Sequence, residues 1–235
     1  MQSSLFTPDT DWAPPSSLPS LVNYDEVAID LETYDPLLMS HGPSWAFKDK
    51  GYVTGIAVAT KDFAIYLPIQ HMGGGNLDKG IVTKWMVKEF SHSNNKIFHN
   101  SLYDLGWLRR MGVEVKGKIH DTMFAAPLID ENQYGYSLNK LGNRYLGEVK
   151  DETLLEEAAS AYGLDPKSEM YKLPAKYVGP YAEQDAALTL KLWGELKQLL
   201  VKENVEKIYD LESSLIPLLL DMRWKGVRVD LDKAE

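Results

Sequence analysis

Asp30 and Glu32 stand one residue apart in the apolar run VAIDLETYDP (Val27–Pro36). On a strand, residues i and i+2 project from one face, so these carboxylates would stand side by side and repel unless a cation or water lay against them. The pair reads either as strand-end charges in solvent or as half of a metal site. The chain contains a control, because DLE recurs at Asp210–Glu212 within KIYDLESSLIPLLL. There the pattern is helical, the two acids diverge, and a solvated face accounts for them.

Two further carboxylates are oddly placed. In HNSLYDLGWL (His99–Leu108), Asp104 falls one turn into a helix whose other positions are Leu102, Leu105, Trp107 and Leu108. An acid among that much apolar surface needs a hydrogen bond, an ion partner or a metal. Asn100, at the strand-to-helix turn, reads as a helix cap. In GPYAEQDAALTLKLW, Tyr181 and Asp185 are four apart on one helix face that Leu188 and Leu192 continue inward. Of the 13 tyrosines, only Tyr181 has an aspartate four residues later. A plain i,i+4 hydrogen-bonded pair is the alternative.

The elements that must position these groups follow from periodicity. Residues 26–32 read as a strand. Tyr52–Thr60 and Phe63–Pro68 read as a hairpin joined at Lys61-Asp62. HMGGGN (His71–Asn76) lacks the Lys-Ser/Thr of a phosphate cradle and reads as a flexible connection. Ile81, Val82, Trp85, Met86 and Phe90 mark an amphipathic helix. KIFHN and GKIHDT read as short strands, each entering a helix. Residues 130–176 read as helical with breaks, and Pro180 as the first turn of a long helix reaching about Lys202. Residues 1–21, rich in Ser and Pro, read as an irregular arm. A strand hairpin followed by alternating strands and helices predicts an α/β fold with a mixed sheet covered by helices.

Taken together, these carboxylates form a recognisable set. A pair on the first strand, Asn-x3-Asp about 70 residues later and Tyr-x3-Asp on a late helix resemble the proofreading 3′–5′ exonucleases of the DnaQ-like (DEDD) superfamily, on a ribonuclease H-like fold. The likeness covers about residues 24–200. The histidine subclass would need His five residues before the last Asp; Pro180 stands there, and Tyr181 at minus four matches the tyrosine subclass. LESSLIPLLLDMRWKGVRVDLDKAE (Leu211–Glu235) is similar to the opening of the polymerase domain in family A DNA polymerases. LF-x-P-x-x-DW-x-PP near the N-terminus is similar to phage-type members. The organisation expected is an arm (1–21), an exonuclease domain (22–203) and the helical start of a truncated polymerase domain (204–235), the polymerase portion lying in cis or on a separate chain.

The resemblance implies two Mg²⁺ ions, with Mn²⁺ able to substitute. Asp30 would bridge both, Glu32 and Asp185 would complete the first, and Asp104 would hold the second. Tyr181, a neutral phenol, would orient the attacking water. The implied substrate is a frayed single-stranded DNA 3′ end. Leu31, Thr33 and Tyr103 would offer stacking surfaces, Asn100 would fix the geometry around Asp104 and touch substrate, and Lys140 or Arg144 in SLNKLGNRYLG would meet a phosphate. Pro36 and Leu37 fall about where the family places an apolar wedge. Exposed helix charges account equally well for Lys140 and Arg144.

Composition constrains rather than decides. With 235 residues, 44% hydrophobic, the chain holds one large domain or one domain and the start of another. The absence of cysteine excludes disulfides and thiolate metal sites. No apolar run reaches the roughly 18 residues of a membrane span, and no signal-peptide pattern opens the sequence, so a cytoplasmic protein without a membrane partner is expected. A net charge of −9 argues against broad phosphate neutralisation, an objection that weakens if some acids are metal ligands. Two rivals stand beside the DNA exonuclease: an exoribonuclease of the same tyrosine subclass, and a non-catalytic single-strand-binding module.

Overall fold

The computed structural model describes residues 7–47 and 50–234. Leu5 and Phe6 of the N-terminal motif lie outside the described residues. Five strands form one mixed sheet: β1 (Glu26–Tyr34), β2 (Tyr52–Ala59), β3 (Ala64–Pro68), β4 (Asn95–Phe98) and β5 (Ile119–Asp121), in the order β3-β2-β1-β4-β5. The β1–β2 and β2–β3 pairs are antiparallel, while β1–β4 and β4–β5 are parallel. The expected hairpin forms, and Thr60 N–H closes its turn on the Phe63 carbonyl at 2.8 Å.

The helices are α1 (Leu38–His41), α2 (Lys79–Glu89), α3 (Ser101–Arg110), α4 (Thr122–Ile129), α5 (Leu138–Leu146), α6 (Thr153–Tyr162), α7 (Ala175–Lys202), α8 (Glu206–Lys225) and α9 (Leu231–Ala234). They sandwich the sheet between two cores. On one face Ala28, Ala57 and Tyr66 meet Tyr177, Ala182 and Leu192 of α7, with α4, α5 and α6 behind. On the other, Val27, Ile29, Leu31, Ile56 and Phe98 meet Met86 of α2, Leu105 and Trp107 of α3, and Ile216 of α8. Period-2 alternation on β1 therefore assigns Ala28, Asp30 and Glu32 to the α7 face.

Four expectations change. The long helix begins at Ala175, not at Pro180. Pro174, with φ −56°, stands at its N-cap, and Pro180 lies inside the helix. There Pro180 removes the N–H that would reach the Lys176 carbonyl. The HMGGGN loop is not a free connection: it docks on the start of α7, with Met72 N–H bonded to the Tyr171 carbonyl (2.9 Å) and Ala175 N–H to the Gly74 carbonyl (3.0 Å). Asn100 and Leu31 are treated with the site.

Residues 7–21 carry no helix or strand but are held down. Trp12 Nε1 donates to Glu183 Oε1 at 3.0 Å, Trp85 Nε1 to the Pro19 carbonyl at 2.7 Å, and Leu21 N–H to Glu89 Oε2 at 2.6 Å. Trp12 lies directly on Gly179 of α7, where an added Cβ would stand 2.1 Å from the indole. Gly179→Ala is therefore expected to destabilise the fold by about 1–3 kcal/mol through overpacking. Urea unfolding measures this, and unchanged stability would mean that the arm does not dock there. After residue 203 the chain forms α8, which packs on α3, α4 and β5.

Candidate active site

The parallel ladder between β1 and β4 ends at Ala28–Ile97. Beyond that point β1 runs on alone on this side, and the chain leaving β4 turns into α3. Such a split beyond the carboxyl ends of parallel strands is where open α/β sheets bind ligands. Asp104 fills the gap. Only 3% exposed, its Oδ1 accepts the Leu31 N–H at 3.2 Å, a donor that the ended ladder leaves without a partner. Asp30 and Glu32 project from the next positions of β1, and α7 lays Asp185 over them.

The sequence leads to these acids, and the structure brings three of them together. Ligand oxygens of Asp30, Glu32 and Asp185 lie within 4.8 Å of one another. Asp104 stands beside this trio and feels the charge of Asp30. Desolvation followed by the Asp185 charge pushes the Asp30 carboxyl up to about 7, against the pull of Lys150. Desolvation, then Asp30 and Asp185, hold Glu32 well above the usual carboxylate range. Asp104 is raised for the same kinds of reason, and Asp185 is raised by desolvation although Lys150 opposes it. Burial and the surrounding carboxylates also raise Tyr181, so its phenol stays protonated.

A divalent metal fits these residues. The donors are all carboxylate oxygens, the set suited to Mg²⁺ or Mn²⁺. They repel one another as they stand, and Asp185 Oδ1 is buried with no hydrogen-bond partner among the described residues. An orphaned acceptor among clustered acids is the arrangement that a bound cation resolves.

Asn100 does not cap α3 with its side chain. It adopts a left-handed conformation (φ 73°), and the exposed side chain makes no capping bond. Asp121 does the work instead, accepting the N–H groups of Asn100 (3.1 Å) and Ser101 (2.6 Å) as well as Met123 N–H (2.8 Å) at the start of α4. One fully buried carboxylate thus holds two helix N-termini and aims Asp104. The cap signature Asp121-Thr122 ahead of an apolar run was available in the sequence. Lys150, also missed, gave no such signal: it lies in a loop between acids, and only the fold carries its Nζ to Tyr181 Oη (2.9 Å) and Asp185 Oδ2 (3.0 Å).

The other expected residues scatter. Leu31 is no stacking surface here, because strand alternation sends its side chain into the opposite core. Tyr103 Oη and Thr33 Oγ1 share a 2.6 Å hydrogen bond, and Tyr103 donates to Asp35 at 2.9 Å, making one half-buried unit at the rim. Lys140 Nζ donates to the Tyr134 carbonyl at 3.0 Å, and Arg144 pairs with Asp130. Pro36 and Leu37 lead into α1, whose Met39 is 96% exposed.

Comparison with known proteins bears directly on this arrangement. A family described as 3′–5′ exonuclease matches residues 9–201. The chain belongs to that family. The DNA-directed DNA polymerase of Pseudomonas phage M6 is 38% identical over 242 residues, covering all of this chain and 36% of the phage protein. DNA polymerase I of Chloroflexus aurantiacus is 27% identical, covering 97% of this chain and 25% of the relative. Brucella melitensis NrnC with bound Mg²⁺ superposes with a TM-score of 0.61 at 20% identity, over 89% of this chain and 90% of NrnC, and shares the fold. The ribonuclease H-like architecture expected from the sequence is the one observed. The chain spans about a third or less of the polymerases it matches, and it is a 3′–5′ exonuclease domain of the kind they carry. Among the described residues no helix is long and apolar enough to cross a membrane.

Proposed function

We propose that this exonuclease domain removes nucleoside monophosphates from single-stranded or frayed DNA 3′ ends, working beside a polymerase domain that residues 204–235 begin, in the same chain or apart from it. One observation carries the reading: three carboxylates from two distant segments converge while, among the described residues, Asp185 Oδ1 has no hydrogen-bond partner. A DNA end in a bacterial or phage-infected cell would place the work in the cytoplasm.

Asp30, Glu32 and Asp185 would hold one divalent ion, and Asp30 with Asp104 a second. When bound, such ions supply hydroxide from water near neutral pH and offset charge on the phosphorane and the departing 3′ oxygen. The chain's own groups do the rest. Asp121 and the Leu31 N–H keep Asp104 in place. The Tyr181 phenol, one helical turn before Asp185, stays protonated and can hydrogen-bond the attacking water without taking its proton. Asn100, exposed at the turn before α3, is free to meet substrate.

The test is a 5′-labelled oligonucleotide with Mg²⁺: stepwise shortening from the 3′ end that stops in EDTA is expected, and full activity in EDTA would overturn the reading. An RNA strand of the same sequence separates the exoribonuclease alternative. Tyr181→Phe is expected to slow cleavage only about tenfold, the value of roughly one hydrogen bond. A loss equal to that of a carboxylate variant would mean that the phenol has another role.

A further inference from the structure

Lys150 does not belong to the carboxylate set, yet its ammonium sits against it. Nζ is 3.0 Å from Asp185 Oδ2, donates to Tyr181 Oη at 2.9 Å and lies 4.4 Å from the centre of that ring. The side chain is 9% exposed, rare for a lysine. It also has a second carboxylate within reach, because Glu152 Oε1 is 3.7 Å from the same Nζ. Glu152 lies farther out, where Lys167 Nζ approaches its other oxygen at 3.6 Å. The ammonium therefore stands between an inner acid of the trio and an outer acid near solvent.

Two cations cannot share Asp185 without repulsion. A divalent ion gripped by several carboxylates outcompetes a single ammonium for the inner position. The lysine stem is flexible and its head is a compact point charge, so a short swing needs no backbone movement. We propose that Lys150 is a positioning residue acting as an exchangeable counter-cation: it neutralises Asp185 and holds Tyr181 while no divalent ion is bound, and turns outward to Glu152 when one arrives. This rests on the reading of Asp30, Glu32 and Asp185 as metal ligands. Exchange has two consequences. The empty site keeps its geometry despite clustered acids, and each incoming ion must displace a bound charge, which weakens metal affinity.

The experiment is a titration of Mn²⁺ alone into wild type, Lys150→Met and Lys150→Arg, followed by calorimetry and by the electron paramagnetic resonance signal of free Mn²⁺. Lys150→Met is expected to bind Mn²⁺ at least about tenfold tighter, since one positive charge beside the ion is removed. Its metal-free melting temperature should fall and its Mn²⁺-induced rise should grow. Lys150→Arg, which keeps the charge, is expected to stay within about threefold of wild type. A lysine that merely braced the site would give the opposite sign, with weaker binding in the Met variant. Equal or weaker affinity in Lys150→Met overturns the exchange. Should that variant not fold, Glu152→Gln carries the test: loss of the outer acid should weaken Mn²⁺ binding a few-fold, and unchanged or tighter binding overturns it. Wild type that binds no Mn²⁺ at all would instead bring down the metal-ligand reading itself.

Discussion

Asp30→Asn is expected to lower 3′-end cleavage by about a thousandfold or more while leaving the fold intact. Asp30 shares the trio with Glu32 on its own strand and Asp185 on α7, and is the acid whose charge Asp104 feels most strongly. Losing one of its oxygen ligands and its charge disturbs both proposed ion positions together, where a peripheral ligand would disturb one. Weakened charge stabilisation of about 4 kcal/mol corresponds to that thousandfold. The fold survives because Asn has nearly the same shape and because Asp30 makes no side-chain hydrogen bond among the described residues. Single-turnover cleavage of a labelled oligonucleotide, beside circular dichroism, measures both halves. A variant retaining a tenth of the activity would show that Asp30 is not a central ligand.

The second large effect concerns stability without metal. A carboxyl with a raised folded-state pKa contributes stability that is complete below its unfolded value, about 4, and is lost as pH rises through its folded value. For Asp30 that loss accumulates between about 4 and about 7 and levels off above, and Glu32, Asp104 and Asp185 shift in the same direction. The metal-free protein should therefore lose on the order of 2–4 kcal/mol from Asp30 alone between pH 5 and pH 8. Glu89, held below its ordinary value chiefly by the Leu21 N–H and Lys88 against desolvation, works in the other sense and only at lower pH. Comparing wild type with Asp30→Asn isolates the effect. The variant should melt higher, by roughly 4–8 °C more at pH 8 than at pH 5. Added Mg²⁺ should close the gap by stabilising wild type. A gap that does not change with pH would mean that Asp30 titrates normally.

Much of this site was legible before any fold was known, and the reason is local. Strand period 2 places Asp30 and Glu32 on one face, and helix period 3.6 places Tyr181 and Asp185 on another. A carboxylate set inside apolar periodicity is conspicuous in one dimension. The hairpin, the amphipathic α2 and the two short strands entering helices were readable for the same reason. The errors arose where a local signal had two readings: Pro180 fits a first turn, but Pro174 already supplies the start of α7. Asn100 has the residue type of a cap, but a buried Asp121 from the neighbouring strand takes the donors.

By itself, the sequence determined which acids could act and on which faces of their own elements they stand, because those relations span no more than five residues. Only the tertiary structure decided which of them meet. Asp185 reaches the β1 pair from more than 150 residues away through the packing of α7 on the sheet, and Asp104 is seated by the N–H that a shortened ladder leaves free. Lys150 joined the site for the same reason: a loop charge has no periodicity to betray it, and its partners exist only once the chain has folded.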